Sequence, residues 1–250
     1  MRALAGAHPT GLGNASRLEP AMLAYLDVPP HLHRNSAKVI AAGIEQTGQF
    51  LIELATSRIG LASLASSDIL DVGCGVRFTQ TIINRNIPIR SYTGVEVHRP
   101  IVDFLKEKVE PFDHRFRFIH WDVYNAMFNL APSPRLESIE EPPAAGSFDL
   151  IWLFSVFTHL DELDAEAMLR LLRRSIRPHG SLLFTAFIDP ELDGFEDRIP
   201  ESPLLNAYFG RKTMEQLIQA TGWVLRSFHE AGSDPFIQPC FVCSPDLREG

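Results

Sequence analysis

The chain has 250 residues, 45% of them apolar, which suits one large α/β domain with a sizeable core. Its formal net charge of −8 argues against nucleic acid as a main partner, because phosphate binding needs clustered Lys and Arg. Three cysteines (Cys74, Cys240, Cys243) are too few for a disulfide framework, no stretch approaches the ~20 apolar residues of a membrane span, and the first nine residues lack the apolar core of a signal peptide, so a cytoplasmic protein without a membrane span is expected.

Residues 1–19 are rich in Gly, Ala and polar residues, show no periodicity and read as an arm. A short helix is predicted over 19–27, halted by Pro29 and Pro30, with His31 and His33 in the loop beyond. Asn35 and Ser36 can cap a longer helix whose apolar stripe is Val39, Ile40, Ile44, Phe50, Leu51 and Leu54. Residues 68–75 then read Asp-Ile-Leu-Asp-Val-Gly-Cys-Gly, a buried strand breaking into a glycine turn, where Gly73 and Gly75 let the backbone bend and a ligand approach. A helix is expected over 79–86 and a second strand over 92–97. The second strand contains Glu96, about 20 residues past the turn, where a nucleotide-binding sheet places a ribose-binding acid. Phe78 stands where a G-x-G-x-x-G fingerprint needs its third glycine, which counts against a dinucleotide.

Pro100 opens a helix to 109, and residues 115–121 form a third strand ending in Asp122, which can cap a helix over 124–130. Residues 131–147 hold four prolines and read as a long loop. The nearly all-apolar run 148–154 is a central parallel strand, followed by Ser-Val-Phe-Thr-His-Leu-Asp over 155–161 and a helix over 162–176. The basic residues Arg170, Arg173 and Arg174 read as that helix's solvated face. A turn at 178–180 precedes a fifth strand over 181–188. Residues 189–209 carry Asp189, Glu191, Asp193, Glu196, Asp197 and Glu201 at a strand's carboxyl end, and read as a substrate lid, a divalent-cation site or a solvated acidic loop. A helix over 211–220 and strands over 223–228 and 236–242 close the chain. Cys240 and Cys243 have zinc-knuckle spacing but no second pair, so they read as buried strand cysteines and no metal ligands are assigned.

Alternating strands and helices predict a Rossmann-like, doubly wound α/β sheet, mostly parallel, and the closely spaced last pair predicts one antiparallel strand. The expected division is an N-terminal arm and helical cap over 1–62 and a cofactor-binding domain over 63–250, with a lid-like insertion at 189–210.

The Asp-Val-Gly-Cys-Gly turn (71–75), with Glu96, Asp122 and the Phe148-Asp149 strand, resembles the class I S-adenosylmethionine-dependent methyltransferases from about residue 66 onward. That resemblance implies a seven-stranded sheet, S-adenosylmethionine as cofactor, and cofactor contacts from Asp71, Gly73, Gly75, Arg77, Glu96, Trp121, Asp122 and Val123. Glu96 would hold the ribose, Asp122 the adenine amino group, Trp121 and Val123 the adenine faces, and amides near Gly73 and Gly75 the methionine end. Arg77 departs from the family's usual third glycine and is a candidate for the cofactor's carboxylate.

Leu153-Phe-Ser-Val stands where nucleic-acid amino methyltransferases carry an Asn/Asp-Pro-Pro-aromatic motif, so the implied acceptor is a hydroxyl oxygen on a small molecule, sugar or glycan. His159, just past the fourth strand, is the candidate general base, and Asp161 either orients its ring or caps the next helix. His120 and Asp122 are rival bases, with Asp122 already claimed by the adenine, and Asp161 and His31 stand next in line. An NAD-dependent oxidoreductase and a non-catalytic cofactor-binding module are the alternative readings of the same sheet.

Overall fold

The computed structural model describes residues 22–142, 144, 148–232, 234 and 236–247, so the arm over 1–19 lies outside them. Residues 22–29 run without helix, so the described part of the helix expected over 19–27 is not helical. A 3-10 turn at Pro30–Leu32 leads to α1 (Ala37–Ala42) and α2 (Ile44–Ile59). One continuous helix was expected here. Gly43 divides it because its φ of +93° is incompatible with helix.

Next come β1 (Asp68–Val72), α3 (Arg77–Asn84), β2 (Ser91–Glu96), α4 (Arg99–Lys108), β3 (Phe116–His120) and β4 (Phe148–Leu153). They are followed by α5 (Glu162–Arg173), β5 (Ile176–Thr185), β6 (Phe187–Asp189), β7 (Phe195–Asp197), β8 (Ala207–Gly210), α6 (Arg211–Ala220), β9 (Trp223–His229) and β10 (Cys240–Pro245). The main sheet has seven strands in the order β3-β2-β1-β4-β5-β10-β9, and β10 runs antiparallel to both of its neighbours. The doubly wound layout with one antiparallel strand is as expected. The strand order reverses between β1 and β4, which opens a crevice at their carboxyl ends.

Side chains alternate across a strand, so each central strand feeds two cores. Leu70, Val72, Ile151, Leu153, Leu182 and Phe184 bury one face against α5 and α6. Ile69, Tyr92, Leu150, Trp152 and Leu183 bury the other against α2, α3 and α4. Both faces are covered by helices, which explains why β4 reads as an apolar run interrupted only by Asp149 near its start. Cys240 and Cys243 are buried in β10 with free thiols.

Three local expectations are corrected. The helix predicted over 124–130 is absent. Asn125 and Asn129 exchange backbone hydrogen bonds at 2.9 and 3.1 Å, while the Asn125 Oδ1 accepts from the Met127 and Phe128 amides at 3.0 Å. Short amide side chains compete with helix in this way. The predicted turn at 178–180 lies inside β5, where pairing with β4 slips from Phe148 opposite Ile176 to Leu150 opposite Ser181. The acidic segment builds a small sheet in the order β6-β8-β7. There Arg198 pairs with Asp189 and Glu196, and the Asp197 carboxylate accepts from the amides of Ile199 and Leu204. Among the described residues no three His, Cys, Asp or Glu side chains gather as metal ligands, and no helix is long and apolar enough to cross a membrane.

The N-terminal helices dock on the domain where α2 crosses α3. A Cβ on Gly48 would stand 2.1 Å from the Thr81 Oγ1. In an exposed helix Gly→Ala gains about 1 kcal/mol of propensity. Here the clash outweighs it, so Gly48→Ala should destabilise the protein by about 1–3 kcal/mol. Urea denaturation checks this, and a raised midpoint would show that the two helices are not in contact at this point.

Candidate functional site

The crevice at the switch point is a cavity of about 750 Å³. The glycine turn and Glu96 form its floor, and Trp121, Val123 and Phe128 one wall. The segment after β4, including Ser155 and His159, lines the facing wall, while Arg34, Val39 and α2 residues close it from the N-terminal side.

Both turn glycines adopt left-handed φ, +72° at Gly73 and +50° at Gly75. Their amides were expected to be free for a ligand. Instead the Gly73 and Cys74 N–H groups donate to the Val95 carbonyl at 2.8 and 3.1 Å, and the Gly75 N–H donates to the Glu96 Oε2 at 3.0 Å. The other Glu96 oxygen accepts from the amides of Val97 (2.8 Å) and His98 (2.9 Å). A carboxylate offers about four lone-pair sites, so a place on Oε2 stays open toward the cavity. Nothing lies within 4 Å of where a Cβ would stand on Gly75, which leaves its backbone open to close approach.

Asp71 does not line the cavity. It is buried beneath the turn, where its carboxylate accepts the Tyr92 hydroxyl. Burial pushes its pKa up to about 7, against the opposing pull of the Tyr92 bond and of Arg77. Arg77 begins α3 and lines the cavity. Its burial pushes the guanidinium down to about 10, so it keeps its charge at neutral pH, and its Nε has no hydrogen-bond partner. Asp122 was expected at an adenine. Its carboxylate is exposed, outside the cavity lining, and is held by Asn129 at 3.0 Å and Ser133 at 2.6 Å. Those two bonds hold its pKa below the usual carboxylate range. Trp121 and Val123, on either side of it, do line the cavity.

His159 is half-buried in a 3-10 turn, Phe157–His159. Its Nδ1 lies 2.9 Å from the Leu204 carbonyl oxygen, and its ring meets the Phe128 ring edge-on with centroids 5.0 Å apart. Burial lowers its pKa, the Leu204 bond opposes that shift, and the nearby Arg34 charge lowers it further. Asp161 serves the next helix rather than this ring. Its Oδ1 caps α5 through the Asp164 amide at 2.9 Å, and its Oδ2 pairs with Arg135 at 2.8 Å. His120 turns away from the role of base, with its Nε2 3.1 Å from the Val97 carbonyl oxygen. His31 lies exposed in the first 3-10 turn.

Sequence reasoning missed three polar groups that line the same cavity as His159. Ser155 takes φ +58°, a left-handed conformation unusual for a non-glycine residue. Its amide donates to the Thr185 Oγ1 at 2.8 Å, and the Ser155 and Thr185 hydroxyls donate to the Gln238 Oε1 at 2.9 and 2.7 Å. With its oxygen occupied twice, Gln238 has its Nε2 available to the cavity. These residues come from three separated segments with no shared motif. The only local signal was that Ser155 follows the central strand.

Residues 70–182 match a family described as the methyltransferase domain. Solved structures share the fold. The magnesium protoporphyrin IX methyltransferase of Synechocystis PCC 6803, bound to S-adenosylhomocysteine, is 13% identical with a TM-score of 0.55, over 86% of this chain and 91% of that one. A Leishmania major S-adenosylmethionine-dependent methyltransferase is 16% identical with a TM-score of 0.54, over 84% and 76%. The [4+2]-cyclase SpnF is 21% identical with a TM-score of 0.50, over 84% and 66%. Residues 70–182 thus match a methyltransferase domain, and the chain shares its fold with solved structures that include one bound to S-adenosylmethionine. The cavity's chemistry fits that molecule. It offers an open acceptor position on Glu96 for a hydroxyl, a half-buried cation with a buried, unpartnered Nε at Arg77 for a carboxylate, and Trp121 and Val123 for a flat ring. The bulk that argues against the dinucleotide reading is also explained, because Phe78 packs on Trp152 and Phe154 with centroids 5.3 and 5.0 Å away.

The buried Asp71 makes stability depend on pH. Folding raises its pKa from 3.8 to about 7, so between these values the folded protein binds a proton that the unfolded chain has released. This contribution is complete below the lower value and is lost as pH rises through the upper one. Between about pH 4 and about pH 7 the wild type should lose a few kcal/mol of stability relative to Asp71→Asn, as urea denaturation at each pH will show. Parallel pH dependence in the two proteins would mean that Asp71 is ionised in the fold.

Proposed function

We propose that the protein methylates a hydroxyl oxygen of a small molecule, sugar or glycan, with His159 as the general base. The observation that carries this reading is the direction of the His159 ring. A carbonyl oxygen only accepts hydrogen bonds, so the Nδ1 that faces Leu204 at 2.9 Å carries the hydrogen, and Nε2 keeps its lone pair. The ring shares its cavity with the glycine turn and Glu96.

The bound cofactor supplies a sulfonium-activated methyl group. The protein's own residues supply position and proton transfer. Glu96 accepts from a ribose hydroxyl through its open Oε2 position. Arg77, in place of the occupied turn amides, receives the methionine carboxylate. Trp121 and Val123 flank the adenine. Gln238, fixed by Ser155 and Thr185, offers its amide N–H to the acceptor, and His159 takes the hydroxyl proton as the new bond forms. A lowered His159 pKa keeps the imidazole neutral at pH 7, as a base must be. An alkyl hydroxyl has more need of such a base than a phenol, which favours a sugar-type acceptor.

Three variants test these roles. His159→Ala should lower kcat by about 10²–10⁴-fold and leave cofactor affinity near wild type. In the wild type, activity should fall at acid pH as His159 protonates, at a pH below that of an ordinary imidazole, and the variant should lose this limb. A variant with normal kcat and an unchanged profile would move the role elsewhere. Asp161→Ala should cost about 1 kcal/mol of stability, the loss of one helix cap, with kcat unaffected; a large fall in kcat would return Asp161 to the chemistry. Glu96→Ala should weaken S-adenosylhomocysteine binding by about 1.5–3 kcal/mol in calorimetry, whereas unchanged affinity would remove Glu96 from the cofactor site.

A further inference from the structure

The charges around the cavity run against the charge of the whole chain. Of the thirteen described arginines elsewhere, ten are ion-paired with Asp or Glu (Arg85, Arg90, Arg99, Arg115, Arg135, Arg170, Arg174, Arg177, Arg198 and Arg211), and Arg173 and Arg226 bond neutral oxygens. The three that line the cavity, Arg34, Arg58 and Arg77, make no ion pair among the described residues. Arg58 donates to the Cys240 sulfur at 2.7 Å, and burial raises that thiol's pKa, so its partner is uncharged. Arg77 sits at the glycine turn and is accounted for by the cofactor's carboxylate.

Arg34 is different. Its guanidinium lies 4.5 Å from the centre of the Phe128 ring, and Phe128 is the ring that meets His159 edge-on. Its charge is felt at both His98 and His159, which places it on the cavity side that holds the candidate base. The two carboxylates lining the cavity do not neutralise it. Glu96 is engaged by three backbone amides, and Asp164 faces Arg135 at 3.5 Å. A sulfonium cofactor makes the site more positive still. Arg34 is solvent-exposed where it lines the cavity, so it attracts an oxyanion as a free guanidinium held over an aromatic ring rather than as a desolvated charge.

We propose that the acceptor carries an oxyanion, a carboxylate or phosphate, and that Arg34, stacked on Phe128, receives it while a hydroxyl of the same molecule faces His159. This rests on the methyl-transfer reading above and narrows its substrate class. It also makes Arg34 a determinant of specificity. A planar guanidinium held against an aromatic face presents its N–H edge outward, and lysine cannot reproduce that fork.

Calorimetry on the whole chain tests the proposal with matched probes. S-adenosylhomocysteine is titrated first, because failure to bind would strike the methyl-transfer reading itself. The loaded protein is then titrated with glucose 6-phosphate against glucose, gluconate against glucose, and 4-hydroxybenzoate against 4-hydroxybenzamide. In at least one pair the anion should bind tenfold or more tightly than its neutral partner. Arg34→Gln should bring that pair within about twofold, and Arg34→Lys should restore only part of the difference, with S-adenosylhomocysteine affinity unchanged in both. Cofactor binding with no anion preference in any pair, or a preference that survives Arg34→Gln, overturns the inference and leaves the methyl-transfer reading standing.

Discussion

The site depends on the lashing of the glycine turn to the end of β2. The Val95 carbonyl takes the amides of Gly73 and Cys74, and the next side chain, Glu96, takes the amide of Gly75 together with those of Val97 and His98. One strand end thus fixes five amides from two loops. Left-handed φ at both glycines is required for those amides to converge. The arrangement also holds the Glu96 carboxylate rigid before any ligand arrives, which lowers the ordering cost of binding. The same acid that reads as a ribose ligand is therefore a structural staple.

Charge burial follows from this frame. The tight turn closes over Asp71 and brings the start of α3, with Arg77, down beside it. Burial acts against both charges, raising the acid and lowering the guanidinium. An acid titrating near neutrality under a ligand loop is a cost in stability at higher pH. Against that cost, the Asp71 carboxylate satisfies the buried Tyr92 hydroxyl, which would otherwise be an unpaired polar group in the core.

How much of this was legible in the sequence depended on the range of the interaction. The strands were, because β1 and β4 are buried on both faces and carry the apolar runs that double burial demands. The glycine turn was legible as a turn, because a strand followed by Gly-x-Gly leaves few conformations, but the capture of its amides by Val95 and Glu96 was not. The Gly43 break was visible as a residue but not as a φ of +93°, since a lone glycine is tolerated in many helices. The false helix over 124–130 arose from counting spacing and neglecting that Asn125 can bond the amides of Met127 and Phe128. The Ser155, Thr185 and Gln238 cluster could not be read at all, because it exists only once β4, β5 and the approach to β10 are assembled.

The small sheet made by the acidic segment shows how such a stretch can act on the candidate site through backbone groups. Three of its six acids, Asp189, Glu196 and Asp197, are engaged by Arg198 and by the amides of Ile199 and Leu204, so the segment is stiffened from within. Asp197 holds the Leu204 amide at 2.8 Å, and the Leu204 carbonyl holds the His159 ring at 2.9 Å. The orientation of the imidazole is therefore set by a neutral carbonyl in the turn between β7 and β8 rather than by Asp161, two residues away. A carbonyl fixes the tautomer as a carboxylate would, without the charge that would raise the imidazole's pKa. The ring stays neutral beside Arg34, and a rigid segment after β5 takes over the orienting role that sequence proximity had suggested for Asp161.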